Sequence, residues 1–260
     1  MAPSTPPLIR DGFVFPSKED AFRQLNTDGL LELRHIFSDE FIAACRAQVD
    51  AELQKRGARY FTIANVSEQP GSHLAEIRHS QPLLDFLSSL CDLTGLPKAE
   101  EPLLQGNNLR VIAGGDSISQ AFNFHFDSSV LTMLLPIYIP SGEDIKSGHL
   151  LAKPNFRPFG QNVVTNLIGK VIYQNKLARW ALMRQFFAGK WASHIARLKP
   201  TSAYLFWGAR TLHANLPCAS DHKRATALFF FGRPNVNDPI MNWVEKRRYK
   251  QEANILENKG

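Results

Sequence analysis

Two hydrophobic periods divide this chain, and they change over near residue 107. Upstream, apolar residues recur at helical spacing. Ser17 is placed to cap a short helix over 18–26. Asp28-Gly29 then turns into a short strand, Leu30-Leu31-Glu32-Leu33. Ser38 caps a longer helix, with Asp39 and Glu40 favourably set in its first turn. Phe41, Ile42, Cys45, Val49 and Leu53 fall on one face of it, and Gly57 ends it. A second amphipathic helix is predicted over 81–93, with Leu83, Leu84, Phe86, Leu87, Leu90 and Cys91 inward. Downstream the texture is strand-like. Leu109-Arg110-Val111-Ile112 stops at Gly114-Gly115, and Phe122-Asn123-Phe124-His125-Phe126 alternates with period two. Val130 to Ile139 is almost unbroken apolar sequence, as in a strand covered on both faces. Gly148–Ala152 (closed by Pro154), Ala203–Trp207 and Ala225–Phe231 complete the set. Many short strands separated by Gly and Pro predict a mainly β fold with flanking helices, an antiparallel barrel or jelly roll.

Residues 160–200 interrupt the strands. Trp180, Met183, Phe187, Trp191, Ile195 and Leu198 repeat at helical spacing among Lys176, Arg179, Arg184, Lys190, Arg197 and Lys199. This predicts a helical insert packed outside the barrel, with a substrate lid or a homodimer contact as the sharper alternatives. The Pro-rich residues 1–8 are expected to be disordered. Residues 9–240 are read as one domain, and 241–260 as a charged tail.

Composition narrows the class. A chain of 260 residues supports one large core, and eighteen Phe with four Trp fill it with rings. The net charge of +6 has its excess at 170–199 and 246–250, a solvated face or an attraction for an anionic substrate. No helix-turn-helix, zinc-finger or RNA-recognition pattern is present, so nucleic acid is not an expected partner. Cys45, Cys91 and Cys218 are far apart and form no CxxC, which reads as reduced thiols in a cytoplasmic setting. The start lacks a basic, then apolar, signal, and no apolar run reaches bilayer-spanning length.

Three features carry chemistry, and they do so jointly. His125-Phe126-Asp127 sets an imidazole and a carboxylate two residues apart, so extended backbone aims both to one side with Phe126 turned away. His213 follows the strand 203–207 and a short turn. Arg224-Ala225-Thr226 opens the last strand. Two imidazoles and one carboxylate on one face of a metal leave three adjacent positions open, the arrangement of non-haem Fe(II) oxygenases. A 2-oxo acid takes two of them and O2 the third. A buried Arg then meets the far carboxylate of 2-oxoglutarate in a bidentate ion pair. Thr226 shares the strand face of Arg224 and adds a hydroxyl. A lone HxD pair often arises by chance, and His35, His73, His79, His149, His194 and His222 taken singly read as structural or solvated. The conjunction carries the reading. The same His-Asp-His set would also serve a cupin-type isomerase or a zinc hydrolase, neither of which needs Arg224. A non-catalytic barrel would be expected to lose the triad first.

These residues resemble the phytanoyl-CoA dioxygenase family of Fe(II)/2-oxoglutarate oxygenases, over roughly residues 20–235. The similarity runs through Asp28–Leu33, the helix after Ser38, Leu109–Ile112 with Gly114-Gly115-Asp116, and His125-Phe126-Asp127. It continues through Ser147-Gly148-His149-Leu150, Lys153-Pro154-Asn155, Leu212-His213-Ala214-Asn215 and Arg224-Ala225-Thr226. The resemblance implies a double-stranded β-helix, a cupin-like jelly roll with helices on one sheet. It implies Fe(II) on His125, Asp127 and His213, and 2-oxoglutarate on Arg224 and Thr226. It further implies that Asn108, Thr132 and Asn215 meet the cosubstrate. Arg110, on the face of Asn108, is the candidate anchor for a substrate. The implied reaction uses O2 and 2-oxoglutarate, releases succinate and CO2, and hydroxylates a small molecule: an amino acid, a natural-product intermediate or a lipid-derived acid. Asp127 argues against halogenation, in which halide replaces the carboxylate. Desaturation, cyclisation and epimerisation use the same iron and stay open. The chain departs from the family at 156–200, and Asn155-Phe156-Arg157 stands where a glycine-serine-histidine turn is common. That region borders the substrate pocket, so phytanoyl-CoA itself is not implied.

Overall fold

A computed structural model describes residues 6–96, 103–114, 120–141, 146–159, 176–190, 195–219 and 221–234. The chain opens with helix α1 (Lys18–Thr27), strand β1 (Leu31–Leu33) and helix α2 (Asp39–Arg56). Strand β2 (Phe61–Ala64), two 3-10 turns, and helices α3 (Glu76–His79) and α4 (Gln81–Asp92) follow. The remaining elements are β3 (Leu104–Ile112), β4 (Leu131–Tyr138), β5 (Leu150–Lys153), α5 (Lys176–Phe187), β6 (Ile195–Ala196), β7 (Ala203–Trp207), β8 (Leu212–Asn215) and β9 (Arg224–Phe231).

The helix ends follow their capping residues. The Ser17 hydroxyl accepts from Asp20 N at 3.1 Å and the Ser38 hydroxyl from Phe41 N at 3.0 Å, each cap worth about 1 kcal/mol. Gly57 N closes α2 on Leu53 O at 2.8 Å.

Among the described residues the strands form two antiparallel sheets. The larger runs β1-β7-β4-β9-β3-β2 and the smaller β6-β5-β8. A single bridge, His125 to His213, extends the smaller sheet beyond β8. Strand alternation then sorts the large sheet. Leu131, Met133 and Leu135 of β4, Leu205 and Trp207 of β7, and Ala227, Phe229 and Phe231 of β9 face outward. There they join Leu25, Phe41, Val49, Leu87 and Leu90 of the helices in the main core. Thr132, Leu134, Tyr204, Phe206, Arg224, Thr226 and Asn108 take the alternate positions, toward the interior between the sheets. Leu134, Tyr204 and Phe206 meet Leu150, Ala152 and Ala196 of the small sheet there.

Several expectations shift. The strand predicted over Phe122–Phe126 reduces to the bridge at His125, because Phe122 adopts a φ of 53° and breaks extended pairing. β2 was not foreseen; it pairs on the edge of β3. The insert is helical at Lys176–Phe187, but Ile195-Ala196 pairs with Leu150 and Leu151 as a strand, and Leu198 is buried beside it. Exposed strand backbone on β5 takes the partner that helical spacing had assigned elsewhere. The buried stripe of α5 is also rotated. Leu182 and Phe186 pack with Met183 against Phe122, Phe124 and Phe126, while Leu177, Trp180 and Phe187 stay exposed. At the N-terminus, Leu8 is buried, Ile9 bridges Phe37, and the Ser38 hydroxyl donates to Pro7 O. Residues 1–5, 160–175, 191–194 and the tail 241–260 lie outside the described residues. Among the described residues, no helix is long and apolar enough to cross a membrane.

Candidate metal centre

His125 and His213 are brought together by backbone. Each donates its N–H to the other's carbonyl at 3.0 Å, the closely hydrogen-bonded pair of an antiparallel ladder. Side chains of such a pair leave on the same face, and the two ring centroids lie 4.3 Å apart. Asp127 N donates to Gly208 O at 3.0 Å, which anchors the carboxylate after the strand has ended. Asp127 Oδ1 then sits 3.7 Å from His125 Nε2 and 3.6 Å from His213 Nε2. One ligand atom from each residue falls within 4.8 Å of the others.

The tautomers are set from outside the site. His125 Nδ1 is 2.8 Å from Asn123 O, and His213 Nδ1 is 3.1 Å from Thr211 O. A carbonyl only accepts, so both Nδ1 atoms carry the proton and both Nε2 lone pairs face Asp127. Burial, then the neighbouring His213, push the His125 pKa down to about 4 against the opposing pull of Asp127, so the ring is the neutral, ligating form. His213 Nε2 is wholly buried and has no hydrogen-bond partner among the described residues. Such an atom is costly unless something fills it. Two imidazole lone pairs and one carboxylate oxygen suit a divalent transition metal and leave one side open. The residues present fit Fe(II).

Asp127 Oδ2, the other oxygen, accepts from the Thr132 hydroxyl at 2.6 Å, and Ser129 Oγ lies 2.9 Å from Thr132 Oγ1. Gly208 makes room for this: a Cβ there would lie 2.5 Å from Ser129 Oγ, 2.6 Å from Thr132 Oγ1 and 3.0 Å from Asp127 Cβ. Thr132, expected at the cosubstrate, therefore has its hydroxyl on a candidate ligand.

Arg224 is 2% exposed. Its Nε donates to Gly148 O at 2.6 Å and its Nη1 to Thr226 Oγ1 at 3.2 Å, so it spans from the large sheet to the lead-in of the small one. Gly148, at a φ of +65°, is needed here, since a Cβ would run into Arg224 Cδ and lie 2.9 Å from Nε. Burial, helped by the charge of Arg110, pushes the guanidinium pKa down to about 9. Among the described residues, no carboxylate lies within ion-pair reach of it.

The other sequence candidates fall in different places. Asn108 lines a cavity of ≈ 330 Å³ together with His125, Asp127, Asn65, Gln105, Asn107, Ser128, Phe230 and Arg233. Asn215 is buried, and its side chain donates to Leu216 O at 3.2 Å. Arg110 pairs across the strands with Thr226, donates to Gln120 O at 3.3 Å and stacks over Tyr60; its Nε is buried without a hydrogen-bond partner among the described residues. It is not among the described lining residues of the cavity. His149 is structural, with Nδ1 accepting from Leu198 N at 3.2 Å. Sequence reasoning missed Ser129, Gly208 and the carbonyls of Asn123 and Thr211. Only Ser129 carried a signal, its position three residues before Thr132 in a polar turn.

No family model matches the chain, and no curated protein sequence is similar enough to match. Solved structures do match. AviO1 from Streptomyces viridochromogenes Tue57 is 13% identical, with 85% of this chain and 97% of that one covered, at a TM-score of 0.55. A Pseudomonas putida prolyl-4-hydroxylase is 12% identical, covering 83% and 98%, at 0.52. SnoK, described as a non-heme alpha ketoglutarate dependent carbocyclase from nogalamycin biosynthesis, is 14% identical, covering 86% and 89%, at 0.51. At these identities the likeness establishes a fold: the two packed antiparallel sheets are a double-stranded β-helix with helices on the larger sheet.

Proposed function

We propose that this chain is an Fe(II)- and 2-oxoglutarate-dependent oxygenase that hydroxylates an unactivated C–H bond of a small molecule and releases succinate and CO2. One observation carries the reading. Two imidazole lone pairs and a carboxylate oxygen converge inside a barrel that also buries the Arg224 guanidinium without a counter-charge among the described residues. A metal satisfies the first set, and a ligand with a free carboxylate satisfies the second; 2-oxoglutarate can chelate such a metal and supply that carboxylate.

His125, Asp127 and His213 would hold the iron, which when bound supplies O2 activation with 2-oxoglutarate as reductant. The rest is the work of the protein. The Asn123 and Thr211 carbonyls keep both imidazoles in the ligating tautomer. Gly148 O and Thr226 hold two edges of Arg224 and leave its remaining N–H groups for the distal carboxylate. The cavity beside His125 and Asp127 would receive and position the substrate. The motif resemblance supports the phytanoyl-CoA dioxygenase branch, and the fold neighbours named as hydroxylase and carbocyclase support an oxidative reaction.

The test is thermal melting with Mn(II), alone and with 2-oxoglutarate, followed by succinate assay with Fe(II) and O2. A 2-oxoglutarate shift that appears only on the Mn(II)-loaded protein, with succinate formed, supports the reading. A metal shift without any 2-oxoglutarate response points instead to a cupin-type metalloenzyme.

A further inference from the structure

The two oxygens of Asp127 have unlike neighbours. Oδ1 faces both Nε2 atoms, at 3.7 and 3.6 Å. Oδ2 faces away and accepts the Thr132 hydroxyl at 2.6 Å. An ionised carboxylate only accepts, so the single Thr132 proton is committed to Oδ2. Ser129 Oγ, 2.9 Å from Thr132 Oγ1, must then be the donor in that second contact. The chain of protons therefore runs in one direction, from Ser129 to Thr132 to Asp127. Thr132 and Ser129 are 0% and 3% exposed, so bulk water does not compete for these bonds. Gly208 has an ordinary φ, and what forbids a side chain there is space alone, since a Cβ would strike both hydroxyl oxygens.

We propose that Ser129 and Thr132 are positioning residues that hold Asp127 as a one-oxygen ligand, with Gly208 providing the gap in which they sit. The consequence is chemical. A carboxylate free to turn can chelate a metal through both oxygens and take a fourth coordination position. With Oδ2 engaged by Thr132, Asp127 gives one oxygen, and three positions remain for the 2-oxo acid and O2. The relay keeps the open face open. The inference rests on the oxygenase reading but makes a separate claim about who sets the carboxylate.

The experiment compares wild type, Thr132→Val, Thr132→Ser and Ser129→Ala. The affinity for Mn(II) is read from the free-ion EPR signal, and the affinity of the Mn(II)-loaded proteins for 2-oxoglutarate from thermal melting. Thr132→Val keeps shape and loses the donor; it is expected to bind Mn(II) about 10–100-fold more weakly. At saturating Mn(II) it also binds 2-oxoglutarate more weakly. Thr132→Ser restores both, which a merely packing role for the methyl group would not allow. Ser129→Ala shifts both in the direction of Thr132→Val by a smaller factor. Wild-type Mn(II) and 2-oxoglutarate affinities in Thr132→Val overturn the proposal. If Thr132→Val does not fold, Ser129→Ala decides, and wild-type behaviour there overturns it. A wild type that binds no Mn(II) removes the metal reading itself, an outcome distinct from a relay that fails on a metal-binding protein.

Discussion

Replacing Arg224 by Met is expected to change the stability of the ligand-free protein little while destroying its response to 2-oxoglutarate. The guanidinium is 2% exposed, and burial with the Arg110 charge brings its pKa down from the ordinary guanidinium range to about 9. At about 1.36 kcal/mol per unit, that is an upper bound of roughly 5 kcal/mol against the charged side chain in the fold. The sign is that of a base with a lowered folded pKa. The penalty is fully present below pH about 9 and is relieved as pH rises above it, where only the unfolded chain still holds the proton. Hydrogen bonds to Gly148 O and Thr226 offset part of it, at about 1.5–3 kcal/mol for each charged donor. Met removes the charge, keeps most of the volume and leaves Gly148 O short of that donor. Two such bonds come to roughly 3–6 kcal/mol, so the variant should stay within about 2 kcal/mol of wild type. For a domain of this size that moves the melting temperature by no more than roughly 8 °C. Wild type with Mn(II) and 2-oxoglutarate at about 100 times its Kd gains about 2.7 kcal/mol. The variant should gain nothing at that concentration, since a carboxylate buried without its partner costs about 3–5 kcal/mol. Differential scanning calorimetry with Mn(II), with and without 2-oxoglutarate, reads both effects. A variant that melts well below wild type yet keeps the full 2-oxoglutarate shift would refute the reasoning.

Other outcomes follow from the same structure. Gly148→Ala should lose about 1–3 kcal/mol in urea denaturation, from the left-handed φ and the collision with Arg224, and should weaken 2-oxoglutarate binding in parallel. At Asp50, burial works to raise the pKa, but hydrogen bonds from Lys223 and Tyr138 and the charges of Lys223 and Arg46 hold it below the usual range. Its half-exposed ion pair with Lys223 is worth at most about 1 kcal/mol, so Asp50→Asn should be slightly less stable at neutral pH. That contribution is present above the unfolded Asp pKa and is lost as pH falls through the lower folded one, so denaturation midpoints should converge in acid. Burial pushes the Cys45 thiol up to about 12, and burial with Asp92 does the same for Cys91. A thiol reagent should therefore label both slowly at neutral pH until denaturant is added.

The sequence was most legible where one local rule acts alone. Ser17, Ser38 and Gly57 marked helix ends because capping is a matter of a few residues. The cover on both faces of β4 was readable because Val130 to Ile139 is nearly continuous apolar sequence. It was least legible where tertiary contact overrode spacing. Ile195 fitted a helical repeat, yet the free edge of β5 claimed it. Trp180 fitted the same stripe, yet the rings of Phe122, Phe124 and Phe126 turned α5 toward Leu182 and Phe186. Within the candidate site, residue type and spacing singled out His125, Asp127, His213 and Arg224, which the fold brings into one barrel interior. Nothing local could have shown that the two His pair across strands, that Gly208 leaves a gap, or that the Thr132 hydroxyl lies on Asp127.

The most direct measurement is an anaerobic titration of the metal-free protein with Fe(II) and then 2-oxoglutarate, followed by visible absorption. A 2-oxo acid chelated to ferrous iron has a metal-to-ligand charge-transfer band, whereas Zn(II), with its filled d shell, gives none. The account predicts a band saturating at one equivalent of iron in wild type and absent from His213→Ala. A folded wild type that develops no band, or a His213→Ala protein that develops the same one, would contradict it.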